Sequence, residues 1–173
     1  MWMHLFVDES ERNGYRLVGT LLEPFALHST RTLMRGLLLP GERRVHFKSE
    51  KDSRRKVVVS QLVRAGFRVR LYTRPGRGEA VRAEVLEHLV TDAIALGVTR
   101  LVLDSRDVAS NKRDRVAIAN RTKAREAGLV YEHIQASAEP ALWISDAVAW
   151  CHGAGSDWRR RVNPLIAEVV EVG

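Results

Sequence analysis

The sequence predicts an α/β fold in which a mixed sheet of about five strands carries helices on both faces. Two apolar segments near the start flank an Asn-Gly pair, which predicts an antiparallel hairpin. Helical and extended patterns then alternate, as in sheets whose later strands are parallel. A chain of 173 residues with 45% hydrophobic side chains is long enough to bury a core, so we expect a single domain over residues 1–173.

The predicted hairpin comes first. Met3 to Val7 is short, apolar and partly β-branched, and Tyr15 to Leu22 is the second strand. Asn13-Gly14 lies between them, and a type I′ turn needs positive φ at both of its central positions. Pro24 ends the second strand because proline cannot donate to a sheet ladder. Phe25 to Leu39 follows, and its apolar spacing suits a short helix.

The middle of the chain is predicted to form a helix and a half-buried strand. Val45 to Phe47 is expected to be a brief extended piece. Ser49 with Asp52 three residues later matches a capping box, which opens a helix to about Ala65. Phe67 to Thr73 then alternates apolar with basic or polar side chains, which is typical of a strand with one buried face.

Further helices and strands follow in alternation. Glu79 to Leu96 has an apolar helical face, and Val98 to Leu103 is a continuous apolar strand typical of the centre of a sheet. After a polar, weakly amphipathic segment, Leu129 to Ile134 is the fifth strand, and Glu139 to about Cys151 is the last clear helix. The pattern leaves the form of the apolar tail, Leu165 to Val172, open.

Positive charge is concentrated in one segment. The chain carries a net charge of +7, and residues 43–70 hold ten Lys and Arg side chains against two acids, a balance of +8 that leaves −1 for the rest. A concentrated basic surface predicts a polyanionic partner, here nucleic acid, either RNA or DNA. Lys51, Arg54 and Arg55 share one face of the predicted helix, which is either a track for phosphates or ordinary solvated surface.

Several classes of protein are disfavoured by the composition. No apolar run reaches the roughly 18 residues of a membrane span, so no membrane partner is expected. The single cysteine, Cys151, excludes a disulfide framework and a Cys-rich zinc site, and it suits a reducing, cytoplasmic location. The chain also lacks a Gly-rich phosphate loop.

Three aspartates stand out by their context. Asp8 and Asp104 each follow an apolar strand, and they would meet at one edge of the sheet if those strands are adjacent and parallel. Asp146 lies in a helix that is apolar almost all round, so we expect it to be buried. A buried carboxylate needs a cation, a proton or good hydrogen-bond donors. The alternatives are turn-forming aspartates at the strand ends and a hydrogen-bonded core aspartate in the helix.

Together the three carboxylates predict a site for Mg²⁺ or Mn²⁺, since hard cations prefer oxygen ligands and a pair of them can clamp a phosphodiester. Glu9 is a further candidate ligand, although neighbours on a regular strand face opposite sides of the sheet. His46 and Lys48 precede the basic helix, where His46 is a candidate metal ligand, proton shuttle or phosphate contact. The alternative for His46 is an ordinary half-buried histidine.

Four short motifs carry a resemblance across roughly Met3 to Ala149. They are Asp8-Glu9-Ser10, Val45-His46-Phe47-Lys48, Asp104-Ser105 and Leu142-Trp143-Ile144-Ser145-Asp146-Ala147. In this order they resemble a bacterial domain-of-unknown-function family with an RNase H-like fold. The resemblance implies an RNase H-like nuclease or a relative of one. We expect Asp8, Asp104, Asp146 and His46 to be its catalytic residues and Lys48 to be among the contacts to nucleic acid.

The chain departs from this pattern in two places. Glu11 stands where family members usually have glycine, and the helix from Lys51 to Ala65 has no acid after Asp52, although RNase H-like enzymes commonly carry a glutamate on their first long helix. The missing ligand could be Glu9, or one of three other acids: Glu50, Asp107 and Glu132. A single tightly held metal ion is the other possibility.

Two functions therefore compete. The first is a metal-dependent nuclease that hydrolyses phosphodiester bonds of RNA or DNA, and the second is an RNase H-like module that binds nucleic acid with weakened catalysis. A PIN-like nuclease is disfavoured because that fold usually passes from its first strand into a helix, and the Asn13-Gly14 hairpin opposes this. An aspartyl-nucleophile phosphatase needs a second aspartate two residues after Asp8, where the chain has Ser10.

Overall fold

One six-stranded sheet organises the computed structural model, which describes residues 2–173. Met1, the first residue of the predicted domain, lies outside the described residues. The strands are β1 (Met3–Ser10), β2 (Tyr15–Leu22), β3 (Arg68–Arg74), β4 (Val98–Asp104), β5 (Val130–Ile134) and β6 (Ile166–Glu171). Their order across the sheet is β5-β4-β1-β2-β3-β6.

The first three strands form an antiparallel meander. β1 pairs with β2, and β2 pairs with β3, both antiparallel. The turn between β1 and β2 contains Asn13 at φ 55° and Gly14 at φ 103°, so the Asn-Gly signal correctly predicted the hairpin.

The later strands are parallel to their neighbours. β4 lies beside β1 with Val7 opposite Leu103, and β5 lies beside β4. The predicted adjacency of the first strand and the strand ending at Asp104 is therefore confirmed. It places Asp8 and Asp104, the next residue of each strand, at the same edge of the sheet.

The sheet has one strand more than the five predicted. β6 pairs in parallel with β3 at the edge of the sheet, and most of its side chains are partly or fully exposed. An edge strand with little burial has no strong alternation of apolar and polar residues, which is why the pattern left this segment undecided.

Helices cover both faces of the sheet. They are α1 (Leu27–Arg35), α2 (Asp52–Ala65), α3 (Glu79–Ala95), α4 (Val108–Arg121), α5 (Ala124–Ala127), α6 (Ala141–Ala154) and α7 (Ser156–Val162). One buried cluster lies between the sheet and α1, α2, α6 and α7, and a second lies between the sheet and α3, α4 and α5. Across residues 2–173, no helix is both long enough and apolar enough to span a bilayer.

Side-chain alternation along β1 decides which face each acid occupies. Phe6 belongs to the cluster under α6, whereas Leu5 and Val7 belong to the cluster under α3. By the same alternation Asp8 faces α6 and Glu9 faces α3.

The predicted capping box is wrong. Helix α2 begins at Asp52 with Lys51 at its N-cap, and no side chain caps it. Ser49 instead belongs to a short 3₁₀ turn, Phe47–Ser49, while His46 has the extended backbone that was predicted. The buried Phe47 anchors this turn, because its ring packs in the core and its backbone N–H is bonded to α6. Local motif chemistry is thus overridden by a tertiary contact.

Candidate active site

A cleft of about 640 Å³ opens where the carboxyl ends of β1 and β4 meet α6. Its lining includes six of the predicted site residues: Asp8, Glu9, His46, Lys48, Asp104 and Asp146. Ser10, Glu11, Arg12, Arg44 and Trp150 complete the lining. Lys51, Arg54 and Arg55, the predicted phosphate track, are not part of it.

Helix α6 is fixed against the sheet by a polar contact in an otherwise apolar interface. The Ser145 hydroxyl donates to the backbone oxygen of Phe6 at 2.6 Å and lies 2.7 Å from the hydroxyl of Thr20. The neighbouring Asp146 is then directed to the end of β1, where the backbone N–H of Phe47 donates to its Oδ2 at 2.9 Å. The sequence prediction that Asp146 would be largely buried is confirmed, since its side chain is 14% exposed.

The pKa values of the three aspartates are all raised. Burial is the main cause for Asp8, and the negative charges of Asp146 and Asp104 raise its pKa further. Burial also raises the pKa of Asp104, with a contribution from Asp146. For Asp146, burial outweighs the Phe47 N–H and the nearby charge of Arg44, which both lower the pKa.

Positive charge in the cleft only partly offsets these carboxylates. Within residues 2–173, Arg44 is the one cationic side chain in an ion pair with any of the three, at 3.8 Å from its Nη2 to Oδ2 of Asp146. Asp8 has one local donor, the backbone N–H of Glu9 at 2.7 Å. The site therefore holds more negative charge than its protein neighbours neutralise.

The donor chemistry of this cleft fits a hard divalent cation. Buried carboxylate oxygens are the ligands that Mg²⁺ and Mn²⁺ prefer, and a cation would offset the burial that raises all three pKa values and the repulsion that adds to it at Asp8 and Asp104. Among residues 2–173, however, no three His, Cys, Asp or Glu side chains are grouped closely enough to enclose an ion as they stand. The acids are assembled in one cleft but are not closed around a common centre.

Glu9 is committed to the opposite face of the sheet. Its Oε2 accepts hydrogen bonds from the Tyr15 hydroxyl and from Arg82 Nη1, the latter at 2.7 Å. The other three candidate ligands also have partners elsewhere. Glu50 lies 3.7 Å from Arg54, Asp107 caps α4 by accepting from the Ser110 N–H, and Glu132 pairs with Arg100.

His46 and Lys48 lie on the exposed rim of the cleft. The charge of His46 lowers the pKa of Asp146, which places the ring within electrostatic reach of the carboxylates. Its Nδ1 is 3.4 Å from the Ser49 hydroxyl. Within the described residues, the Lys48 ammonium has no ion pair, so its charge is available to a bound anion.

Two cations of the predicted phosphate track are used inside the protein. Arg55 donates to the backbone oxygens of Phe47 at 2.9 Å and Lys48 at 2.8 Å, and Arg54 donates to the backbone oxygen of Leu37. These bonds hold the loop that carries His46 and Lys48. Of the predicted track, Lys51 is exposed and has no ion pair among residues 2–173.

Five residues that line the cleft were not among the predicted site residues, namely Ser10, Glu11, Arg12, Arg44 and Trp150. Arg44 was counted in the basic segment but had no motif to mark it. Trp150 lies four positions after Asp146 and therefore on the same helical face. That spacing was the available signal.

A second charged cluster lies on the α3 side of the same sheet edge, and we call it the Arg82 network. It comprises Glu9, Tyr15, Arg82, Arg106, Asp114 and His133. Arg82 holds Asp114 through two parallel hydrogen bonds of 2.8 and 2.9 Å. Burial alone would raise the pKa of Asp114, but hydrogen bonds from His133 and Arg82 lower it to about 2. In this network every carboxylate has a cationic or hydroxyl partner.

The chain matches no protein-family model and no curated protein. Among solved structures it is similar to a chain in the structure of the PCNA:RNase HII complex from Archaeoglobus fulgidus, with a TM-score of 0.53 and 16% sequence identity. The match covers 88% of this chain and 73% of that chain. At such low identity the likeness establishes the fold alone, and the fold is the RNase H-like mixed α/β arrangement that the sequence predicted.

Proposed function

We propose that this chain is a metal-dependent nuclease that hydrolyses phosphodiester bonds of RNA or DNA. The observation that carries the proposal is the convergence of Asp8, Asp104 and Asp146 in one cleft with only a partial positive counter-charge. Its similarity to a structure that contains RNase HII, a ribonuclease by name, supports the same class of chemistry. Membership of the bacterial RNase H-like family that the motifs resemble is part of this proposal.

Each residue of the cleft has a role in this proposal. Asp8, Asp104 and Asp146 would hold Mg²⁺ or Mn²⁺, which when bound supplies a Lewis acid and acidifies an attacking water. Lys48 would hold a phosphate of the substrate at the rim as a point charge. His46 would accept or return a proton near the scissile bond.

The test combines metal binding with cleavage. Calorimetric titration with Mn²⁺ should show binding to the wild type and a marked loss for Asp146→Asn, and cleavage of labelled RNA, DNA or hybrid should be abolished in that variant. Asp157→Asn is the matched control, because Asp157 is an exposed aspartate of α7 that pairs with Arg161 at 2.8 Å and does not line the cleft. Full cleavage by Asp146→Asn would refute the proposal.

A second candidate is a catalytically weak RNase H-like module that binds nucleic acid. Two observations favour it: α2 has no acid after Asp52, and the acids as they stand are not closed around one centre. This candidate predicts salt-sensitive binding of nucleic acid, weak or absent Mn²⁺ binding and no cleavage. The same titration and cleavage assay therefore separates the two functions.

A further inference from the structure

Trp150 contributes an aromatic surface to the cleft. It lies on α6 four residues after Asp146, and its partly exposed side chain lines the cleft. The inner edges of the ring pack in edge-on contacts with Phe47, at a centroid distance of 5.3 Å, and with Trp158, at 5.5 Å. These contacts fix the plane of the indole, but they do not explain why part of the ring is exposed in the cleft.

Two arginines lie over the Trp150 ring, and they differ in what else they bind. The guanidinium carbon of Arg55 is 4.1 Å from the ring centroid, and its N–H groups are bonded to Phe47, Lys48 and Asp52. The guanidinium carbon of Arg12 is 5.4 Å from the centroid, and the side chain is exposed. Within residues 2–173 the Arg12 guanidinium has no hydrogen bond or ion pair, so it is available to a ligand.

The loop that carries Arg12 is held firmly against α6. Asn13 Nδ2 donates to the backbone oxygen of Gly153 at 3.0 Å, and Arg16 Nη1 donates to the backbone oxygen of Arg12 at 2.5 Å. A Cβ at Gly153 would lie 3.1 Å from the Ser10 hydroxyl and 3.2 Å from the oxygen of Arg12, so any larger residue would push these neighbours apart by a few tenths of an ångström. Arg12 and Trp150 are therefore presented by two elements locked together.

Building on the proposed nuclease function, we propose that Trp150 and Arg12 form a nucleobase-binding subsite and that the substrate is single-stranded nucleic acid. A base in a duplex hides both faces in its stack, whereas an unpaired base can stack on an indole or a guanidinium. With a base at Trp150, the phosphates of the same strand pass along the cleft edge that carries Lys48 and Arg44. Arg12 then covers the base or pairs with its phosphate.

The experiment measures affinity by fluorescence anisotropy in EDTA, where no cleavage interferes. The probes are a labelled oligonucleotide of mixed sequence, about 12 nucleotides long, its duplex, and copies with a single abasic position moved along the strand. The variants are Trp150→Leu, Trp150→Phe and Arg12→Gln. Trp2→Leu is the control, because Trp2 is 73% exposed and precedes β1 at the opposite end of the sheet.

We expect single strands to bind more tightly than the duplex, and Trp150→Leu to weaken single-strand binding by about 5- to 150-fold. Trp150→Phe should retain most of the affinity, and Trp2→Leu should have no effect. At one position, the abasic probe should lose affinity for the wild type but not for Trp150→Leu, because the base and the indole contribute to one contact. Arg12→Gln should weaken single-strand binding without changing the melting temperature.

Several outcomes would overturn the subsite. One is duplex binding as tight as single-strand binding, and another is a uniform loss for all abasic probes. Because Trp150→Leu also removes packing against Phe47 and Trp158, its melting temperature is measured alongside. If that variant is unfolded, the subsite is tested by the abasic probes on the wild type and by Arg12→Gln. If the protein cleaves duplexes and shows no preference for single strands, the subsite proposal is refuted but the nuclease proposal stands. If it binds no nucleic acid, both proposals are refuted.

Discussion

At the end of β1, the two faces of the sheet carry acidic side chains that differ in how far neighbouring cations neutralise them. On the α6 face, Asp8, Asp104 and Asp146 share a cleft with one ion pair of 3.8 Å. On the α3 face, Glu9 and Asp114 are held by arginines at 2.7 to 2.9 Å. Acids on both faces are buried or partly buried, so burial alone does not distinguish the two sets. What distinguishes them is whether the protein supplies the counter-charge.

This difference begins with two consecutive residues. Asp8 and Glu9 are neighbours on β1, and strand alternation sends one to each face. Glu9 meets Arg82 from α3, while Asp8 meets two further aspartates. Three acids that share a single ion pair repel one another, and this repulsion lowers stability unless a ligand supplies the missing charge.

The largest expected effect is on folding stability. Arg82→Met leaves buried Asp114 without its bidentate partner, and we expect the free energy of unfolding to fall by about 3–5 kcal/mol. Asp146→Asn removes a charge from a crowded acidic site and should leave the metal-free stability unchanged or higher. Urea unfolding without metal measures both variants. A large loss of stability in Asp146→Asn would show that this aspartate is a structural core residue. The acids on the two faces of the sheet would then not differ in role.

The pH dependence of stability should have opposite signs on the two faces. Asp114 has a pKa lowered to about 2, so its contribution, about 2 kcal/mol, is present at neutral pH and is lost as the pH falls from the unfolded value toward 2. The cleft aspartates have raised pKa values, so protonating them as the pH falls through their folded values increases stability.

Unfolding measured between neutral and acid pH would sharpen this contrast. Asp114→Asn should have a lower free energy of unfolding than the wild type at pH 7, and this free energy should fall less as the pH is lowered. In the wild type, protonation of the cleft aspartates should first raise the free energy of unfolding, and Asp146→Asn should lack part of that rise. Asp157→Asn is again the control for an exposed aspartate. Parallel profiles for Asp114→Asn and Asp146→Asn would contradict the assignment of different roles.

The fold and the acidic cleft could be predicted because local signals determine them. Asn13-Gly14 specified the hairpin, and the apolar run before Asp104 marked a central strand that the parallel pairing then placed beside β1. Asp146 was identifiable because a carboxylate inside an apolar helix is costly wherever that helix packs. These sequence signals together placed Asp8, Asp104 and Asp146 at the same end of the sheet.

The Arg82 network could not be predicted from sequence. Its members come from three strands, two helices and a loop, and Arg82 on a helix of mixed character looks like an ordinary surface arginine. The sequence also could not show that the side chains of Arg54 and Arg55 bind within the protein, since their partners are backbone oxygens of distant residues. Long-range pairing of charges depends on tertiary distances that local patterns do not encode.

A smaller effect concerns competition for the acidic cleft. Arg44 is the internal cation beside Asp146, so Arg44→Gln should raise the affinity for Mn²⁺ by roughly 2- to 5-fold, as expected for a partly exposed ion pair. Arg43→Gln, a change at the exposed neighbouring position, is the matched control. Calorimetric titration of the protein without nucleic acid gives the measurement. Weaker Mn²⁺ binding in Arg44→Gln would mean that Arg44 supports the site instead of competing for it.

The smallest effect separates cations that await a ligand from cations that are already paired. Lys48 has no ion pair among the described residues, and Arg106 is bound to Glu79 at 2.6 Å and to Asp114 at 2.9 Å. Replacing Lys48 with Gln should lower the slope of log K against log salt for nucleic-acid binding by about one, because one phosphate contact is lost. Arg106→Gln should leave that slope unchanged and lower the melting temperature instead. Equal slopes for the wild type and Lys48→Gln would place the nucleic acid away from this rim, and the charge imbalance of the cleft would then need another partner.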